Sequence, residues 1–403
     1  MQNSDNAYIP IADGFAPERA GRARLFAESL AAAGPGDVRR ALDKDVLNEK
    51  DFAVLLSPAA GGELEALARR ARDETMRRFG RARQLFAPLY LGNYCTNRCV
   101  YCGFHAGSGI KKRSALTPEE IDAEAEALYA TGLRRVLILT GDAPKRTGAD
   151  YIAAAAAVLA RRFSSVGIEV PSQSVEDYAR ITRAGADSMT MFQETYDPEL
   201  YARLHPAGPK RDFAYRLDAP QRAAAAGMRG VNLGALLGLG DWRGDIFMTG
   251  MHALFLQRRF PGLEIGFSLP RIRPAETAGA FRPSPVSDRD FVQALTALRC
   301  FMPHACITLS TRESAFMRDK LLPLGVTRLS AGVSTGVGGY ARPEPKNNVQ
   351  FAIDDKRSVS EMAADLEKLG YRPVFSDWLL PGGGDLPLAG ALRNAVGATG
   401  TGG

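Results

Sequence analysis

The chain has 403 residues, of which 45% are hydrophobic and 24% are charged. This length accommodates one large barrel domain with extensions, and the composition is typical of a soluble globular protein. No apolar stretch is long enough to span a bilayer and the first residues do not resemble a signal peptide, so we expect no membrane association and a cytoplasmic location. The net charge of +6 comes from arginines spread along the whole chain rather than from one basic patch, which argues against nucleic acid as a partner.

Taken in chain order, residues 1–85 predict a helical N-terminal extension, with the clearest helical spacing over residues 63–79. Over residues 86–331, short apolar runs alternate with amphipathic helices. The predicted strands are residues 86–91, 135–140, 167–171, 188–193, 230–235, 264–269, 305–310 and 328–331, and the helices between them are 118–129, 149–162, 175–183, 213–226, 246–259 and 288–301. This alternation predicts an α/β fold, a closed (β/α)₈ TIM-type barrel. A doubly wound open sheet is disfavoured because no Gly-x-Gly-x-x-Gly opens the first helix.

Residues 332–403 lose this alternation and are predicted to form a C-terminal extension. It contains one helix over residues 359–369 and one short strand over residues 372–375. The Gly- and Ala-rich tail from residue 381 is expected to be loosely ordered.

Three of the five cysteines stand close together, as Cys95, Cys99 and Cys102, in the loop after the first predicted strand. This clustering suits metal ligation in a reducing compartment better than a disulfide framework. Three thiolates can bind three irons of a cubane cluster and leave the fourth iron open to a ligand that is not protein. A zinc site is the alternative, since His105 is near enough in sequence to be a fourth ligand.

The cysteine loop, Cys-x-x-x-Cys-x-x-Cys with Tyr101 before the last cysteine, resembles that of the radical S-adenosylmethionine (SAM) superfamily. Within it, the chain resembles the aromatic amino acid lyases, most of all the tyrosine lyases of bacterial thiazole (thiamin) biosynthesis. The matching stretches are residues 90–104, Gln-Glu-Thr-Tyr at 193–196, Gly-Ala-Leu-Leu-Gly-Leu at 234–239, Pro-Arg-Ile-Arg-Pro at 270–274 and Leu-Ser-Thr-Arg-Glu at 309–313. The resemblance implies a radical SAM barrel with one [4Fe-4S] cluster on the three cysteines and SAM as cofactor.

The resemblance also implies a set of residues that contact SAM, namely Tyr101, Gly141, Asp142, Glu194 and Arg216. The family usually has glutamate where this chain has Asp142, one methylene shorter. From the residues alone, Gly141 and Asp142 could equally form an ordinary βα turn that caps the next helix. Arg216, taken alone, would be interpreted as a surface arginine.

An amino acid substrate needs a clamp for its carboxylate, and a guanidinium with a hydroxyl beside it suits that task. Five residues follow or lie near the ends of predicted strands and are candidates: Tyr90, Arg271, Arg273, Ser310 and Arg312. Each of the arginines could instead form a structural ion pair, and the sequence does not choose among them.

The resemblance implies cleavage of the Cα–Cβ bond of L-tyrosine to dehydroglycine (2-iminoacetate) and p-cresol, with 5′-deoxyadenosine and methionine as co-products. It implies an electron donor such as flavodoxin or ferredoxin as a partner, and thiazole synthase as a candidate partner. A related lyase that matures [FeFe]-hydrogenase carries a second, C-terminal cysteine set, whereas this sequence has no cysteine after Cys306. Two alternatives stay open: another aromatic substrate such as tryptophan, and a non-enzymatic iron–sulfur or zinc binding module.

Overall fold

Eight parallel strands close into a barrel in the computed structural model, which describes residues 14–110, 113–273, 281–342 and 350–376. The barrel strands are β1 (Ala82–Gly92), β2 (Arg135–Thr140), β3 (Ser165–Glu169), β4 (Ser188–Glu194), β5 (Gly230–Ala235), β6 (Glu264–Ser268), β7 (Cys306–Leu309) and β8 (Arg328–Ser330), and a ninth strand, β9 (Arg372–Val374), pairs with β1 alone. Each strand from β1 to β7 pairs in parallel with the next, and β8 pairs with β1, which closes the barrel. The predicted (β/α)₈ barrel is confirmed.

Helices cover the outside of the barrel and precede it. They are α1 (Ala16–Ala32), α2 (Pro35–Leu42), α3 (Glu49–Leu55), α4 (Pro58–Gly62), α5 (Leu64–Phe79), α6 (Pro118–Ala130), α7 (Pro144–Thr147), α8 (Ala149–Ala160), α9 (Val175–Arg183), α10 (Pro198–Leu204), α11 (Phe213–Leu217), α12 (Ala219–Ala225), α13 (Trp242–Arg259), α14 (Asp288–Phe301), α15 (Ala315–Leu321) and α16 (Val359–Lys368). Within the described ranges, no helix is long and apolar enough to cross a membrane.

The structure differs from the predicted elements at identifiable residues. The helix predicted over residues 213–226 is two helices, α11 and α12, because Pro220 has no N–H to donate to the preceding turn and its ring crowds that turn. β3 begins two residues earlier than predicted and ends before Pro171, since proline cannot donate to a strand ladder. The predicted tail from residue 381 and the end of the 270–274 motif lie outside the described residues.

The described parts of the two extensions both pack on the barrel. The barrel itself begins with β1 at Ala82, four residues before the predicted start of the domain. Helices α1–α5 precede it, and their buried side chains belong to the same apolar core as those of α13 and α14. After β8, the chain adds α16 and then β9, which pairs with Ala82–Gln84 at the start of β1. The carboxyl ends of the eight strands therefore meet at one mouth of the barrel, where barrels of this type place their chemistry.

Candidate active site

The loop that follows β1 carries the three clustered cysteines and is fastened to the loop that follows β2. The N–H of Thr96 donates to the carbonyl oxygen of Asp142 at 2.7 Å, and the Asn97 side-chain amide donates to the Asp142 carboxylate at 2.8 Å. Asp142 is buried, and burial raises the pKa of its carboxyl group. Its carboxylate therefore holds the cysteine loop in place.

Gly141 lets these two loops approach each other closely. A Cβ at this position would overlap the carbonyl oxygen of Tyr94 and would lie 3.3 Å from the Cβ of Cys95. The Gly141 N–H donates to the carbonyl oxygen of Gly92 at the end of β1, at 3.0 Å. Glycine is required here for close packing against the first cysteine.

The three sulfur atoms lie in a partly dry environment at the mouth. Cys99 is buried, Cys95 and Cys102 are half-buried, and all three are free thiols. Burial raises the pKa of Cys99 to about 12 and also raises that of Cys102. Among the residues that the structure describes, no three histidine, cysteine, aspartate or glutamate side chains are arranged to hold a single metal ion.

Glu194 ends β4 in a strained conformation and binds two cations. Its φ angle is 72°, the one positive φ of a non-glycine residue within the described ranges, and the pairing of β4 with β5 is irregular there. Its carboxylate lies 2.5 Å from Lys210 Nζ and 3.4 Å from Arg216 Nη2. Burial opposes ionisation, but the charges of Lys210 and Arg216 lower the pKa of Glu194 below its ordinary value. Strain of this kind typically persists where function requires a particular orientation.

A hydrogen-bonded chain continues from Lys210 to a buried histidine. Lys210 Nζ donates to the Tyr101 hydroxyl at 3.2 Å, and that hydroxyl lies 2.8 Å from His205 Nε2. The Nδ1 of His205 lies 2.8 Å from the carbonyl oxygen of Tyr201, which can only accept, so Nδ1 carries the proton and Nε2 accepts from Tyr101. Burial, together with the charge of Lys210, lowers the pKa of His205 to about 3, so the imidazole is neutral.

A cavity of about 230 Å³ lies along the barrel axis below the cysteine loop. At the mouth it is lined by Tyr90, Tyr101, Cys102, Glu169, Glu194, Lys210, Arg273, Ser310 and Arg312. It continues down the barrel past small and polar side chains, including Thr190, Asn232 and Thr308. A neighbouring cavity of about 320 Å³ is lined by Asp142 and Arg216, and Lys210 lines both cavities.

Arg312 projects into the axial cavity without a carboxylate partner. Its guanidinium lies 3.5 Å from the centre of the Phe351 ring, and its side chain makes no hydrogen bond or ion pair within the described part of the chain. Burial lowers the pKa of Arg312, while nearby acidic groups, Tyr90 and Glu169 among them, oppose that shift. Ser310 lies beside it on the same loop, and its Oγ accepts from the Arg312 N–H at 3.4 Å.

The other two candidate arginines are already bound. Arg271 forms a bidentate pair with the buried carboxylate of Glu313 and a further contact with Asp288 at 2.7 Å, and it does not line the axial cavity. Arg273 donates to the carbonyl oxygen of Arg312 at 2.7 Å and lies near Glu313 and Asp354. Arg273 therefore braces the loop that carries Arg312.

Several residues of the site were not predicted from the sequence. Glu169 lines the axial cavity from the end of β3, and burial raises its pKa to about 7. A carboxylate at the carboxyl end of an apolar strand would indicate this position. The predicted strand, residues 167–171, instead places Glu169 in its middle, because it begins two residues too late. Lys210 and His205 lie in an irregular connection after α10, and Gln350, which accepts from the Tyr90 hydroxyl at 2.8 Å, stands 260 residues from it. No local pattern indicates such contacts.

Comparisons with known proteins agree with this geometry. The model of the radical SAM superfamily matches residues 89–247, and that of the biotin and thiamin synthesis associated domain matches residues 268–372. The chain is 40% identical to a 2-iminoacetate synthase of Escherichia coli (strain K12), over 85% of this chain and 90% of that protein. It is 38% identical to a 2-iminoacetate synthase of Salmonella typhimurium (strain LT2), over 85% and 90% of the two chains.

A solved structure shares the fold. The crystal structure of HydG, a maturase of the [FeFe]-hydrogenase, superimposes with a TM-score of 0.82 at 33% identity, covering 88% of this chain and 80% of that one. The barrel, the cysteine loop at its mouth and the similarity over most of both chains lead to one conclusion. This chain belongs to the radical SAM superfamily, in the family of the 2-iminoacetate synthases.

Proposed function

We propose that this protein is a radical SAM lyase that cleaves the Cα–Cβ bond of L-tyrosine to 2-iminoacetate and p-cresol, with 5′-deoxyadenosine and methionine as co-products. The observation that carries the proposal is one cavity that meets a thiol of the cysteine triad, Cys102, and the unpaired guanidinium of Arg312. It thus joins a candidate cluster site to a candidate carboxylate site. Within this family, the names of the relatives support the product.

The cysteine loop fits a [4Fe-4S] cluster. Its donors are three free thiols, the ligands that iron–sulfur clusters prefer. Because burial raises the pKa of Cys99 to about 12, that thiolate needs a strong positive partner in order to form. Iron supplies that charge. We assign Cys95, Cys99 and Cys102 as the three cluster ligands.

SAM is assigned to the polar groups beside the cysteine loop: Tyr101, Gly141, Asp142, Glu194 and Arg216. When bound, the cluster and SAM supply the radical chemistry that removes one hydrogen atom from the substrate. Glu194 is held by Lys210 and Arg216 so that it can accept hydrogen bonds from a ligand. Asp142 already binds Asn97, and we assign it the further task of fixing the loop.

The substrate carboxylate is assigned to Arg312 and Ser310, with Tyr90 beside them. A guanidinium in a largely dry cavity gives bidentate bonds to a carboxylate. Farther down the barrel, the side-chain oxygens of Asn232 and Thr308 have no hydrogen-bond partner in the described part of the chain. A phenol hydroxyl both donates and accepts and can satisfy such groups, whereas an indole N–H only donates. This favours tyrosine over tryptophan.

The proposal also covers the cellular location of the enzyme and its partner proteins. We propose a cytoplasmic enzyme that receives its electron from a donor such as flavodoxin or ferredoxin, and thiazole synthase as a candidate partner that takes the product. Membership of the family supports these assignments.

The test is anaerobic turnover of the reconstituted protein with SAM, a reductant and each aromatic amino acid in turn. We expect 5′-deoxyadenosine and p-cresol in equal amounts with L-tyrosine, and mass spectrometry identifies both. Formation of an indole-derived product from tryptophan at a higher rate would overturn the choice of substrate. A protein that binds iron but never cleaves SAM would be a binding module instead.

A further inference from the structure

Glu169 is a half-buried acidic group at the mouth that no assignment above uses. It is the last residue of β3, and its side chain lines the axial cavity. Within residues 14–110, 113–273, 281–342 and 350–376, its carboxylate makes no hydrogen bond or ion pair. A carboxylate placed in such a cavity without a partner costs free energy in the empty protein. Such a cost is tolerated where a ligand supplies the partner.

The charged groups around Glu169 leave one anion and one cation unpaired. The titratable groups that interact with it or line the same mouth come from several elements: Tyr90 on β1, Tyr101 and Cys102 in the loop after β1, Glu194 on β4, Lys210 in the following connection, Arg216 on α11, Arg273 after β6 and Arg312 after β7. Lys210 and Arg216 are both bound to Glu194, and Arg273 lies near Glu313 and Asp354. Glu169 and Arg312 therefore remain, facing one cavity with opposite charges and no bond between them. This is the complement of an amino acid zwitterion.

We propose that Glu169 binds the α-ammonium group of the substrate while Arg312 binds its carboxylate, and that Glu169 accepts one proton from that ammonium group. The inference rests on the proposed function and extends it. In the proton transfer, one N–H bond of the ammonium breaks and one O–H bond forms on Glu169, so that a neutral amine and a neutral carboxylic acid result. No electron is gained or lost.

The proton transfer prepares the substrate nitrogen, from which the resemblance to the aromatic amino acid lyases implies that the hydrogen atom is taken. A hydrogen atom taken from an ammonium group would leave a radical cation, whereas one taken from a neutral amine leaves a neutral nitrogen radical. The environment suits a base working near neutral pH, since burial raises the pKa of Glu169 to about 7. Arg312 is among the groups that oppose this rise, and it keeps a fraction of Glu169 ionised before the substrate binds.

The test compares three ligands on the holoenzyme with SAM bound: L-tyrosine, tyramine, which lacks the carboxylate, and 3-(4-hydroxyphenyl)propionate, which lacks the amine. In Glu169→Gln, we expect binding of tyrosine and tyramine to weaken roughly 10- to 100-fold, the range for losing a charge-assisted hydrogen bond. Binding of the propionate should change little. Arg312→Gln, the matched variant, should show the reverse pattern, with tyramine unaffected. Iron content and near-ultraviolet circular dichroism confirm that each variant is folded.

The pH dependence supplies a second readout. Wild-type affinity for tyrosine should fall as pH decreases through about 7, because Glu169 becomes protonated, and Glu169→Gln should show no such fall. Glu169→Asp should restore part of the tyramine affinity. Equal weakening of tyramine and the propionate in Glu169→Gln would overturn the inference. If the wild-type protein forms p-cresol but Glu169→Gln binds tyrosine as tightly as the wild type does, the role of Glu169 is overturned and the proposed function stands. If the variants show the expected binding pattern but the wild-type protein forms no p-cresol, only the proposed function is overturned.

Discussion

The arginines around the mouth of the barrel differ in what their guanidinium groups bind. Arg318 is fully buried and pairs with the buried carboxylate of Asp355, and Arg271 pairs with Glu313. Both pairs are structural, because removal of either partner would leave a buried charge without compensation. Arg312 is half-buried, as Arg271 is, but it has no carboxylate partner in the described ranges. The presence or absence of that partner distinguishes Arg312, which is assigned to the substrate, from the arginines that stabilise the fold.

A pair of substitutions separates the substrate site from the SAM site. Arg312→Gln should reduce p-cresol formation severely, since losing a buried charged contact costs on the order of 2–5 kcal/mol. It should leave slow, uncoupled formation of 5′-deoxyadenosine largely intact, whereas Arg216→Gln should reduce both products. The measurement is the yield of both products in each variant. An equal loss of both in Arg312→Gln, with weaker SAM binding, would move Arg312 to the cofactor site.

The cysteines allow a matched test of cluster ligation. Cys99 and Cys300 are both buried, and burial raises the pKa of each to about 12, but only Cys99 lies in the clustered loop. Cys99→Ala should abolish SAM cleavage and reduce iron content, while Cys300→Ala should retain iron, because Cys300 packs as a small apolar residue. Iron and sulfide analysis of both variants after reconstitution shows which of the two cysteines is a cluster ligand. Loss of iron in Cys300→Ala would contradict the assignment.

At the level of residues, the sequence predicts the site residues that belong to a local motif or end a predicted strand. It does not predict contacts between residues that are far apart in the sequence. The cysteine triad is one short segment, and Glu194, Ser310 and Arg312 follow predicted strands, so their place at the mouth follows from parallel topology. The choice among the arginines could not be predicted, because it depends on which carboxylates lie nearby in space. The contact of Tyr90 with Gln350 joins opposite ends of the barrel sequence and has no local signal.

At the level of elements, the sequence predicts best where the boundaries carry their own signals. Helices α9 and α14 have the bounds predicted, and each begins after a serine whose side chain accepts from the backbone three residues on, Ser174 and Ser287. The break between α11 and α12 was missed although Pro220 marks it, since apolar spacing continues across the break. The short α10 was missed despite its Asp197 cap, because seven residues give too little periodicity.

The contact between the loops after β1 and β2 can be tested through Gly141. Gly141→Ala would force a Cβ into the carbonyl oxygen of Tyr94 and displace Cys95, so iron content after reconstitution should fall while the barrel stays folded. Gly62→Ala is the matched control, because nothing lies within 4 Å of a Cβ added there. Iron per chain and far-ultraviolet circular dichroism are measured for both. Full iron content in Gly141→Ala would show that the loops do not need this close approach.

At the level of the whole molecule, the N-terminal helices are part of the barrel's core. Phe52 of α3 is fully buried and stacks on Phe301 of α14 at 4.3 Å between ring centres, and its ring centre lies 5.8 Å from that of Phe247 of α13. Gly250 on α13 makes room for this ring, since a Cβ there would lie 2.5 Å from it. The described part of the predicted extension, residues 14–85, thus shares one apolar cluster with the barrel. We expect the two to unfold together.

Phe52→Ala tests this coupling. Removing a fully buried phenylalanine leaves a cavity and should lower the free energy of unfolding by about 3–5 kcal/mol. Because the ring joins α3 to two barrel helices, the variant should still unfold in one cooperative transition, with the midpoint shifted to lower urea concentration. Val46→Ala is the control, since Val46 is 83% exposed and its truncation should change the free energy by less than about 0.5 kcal/mol. Urea unfolding followed by tryptophan fluorescence and circular dichroism measures both. Two separate transitions in Phe52→Ala would show that the helices and the barrel are independent units.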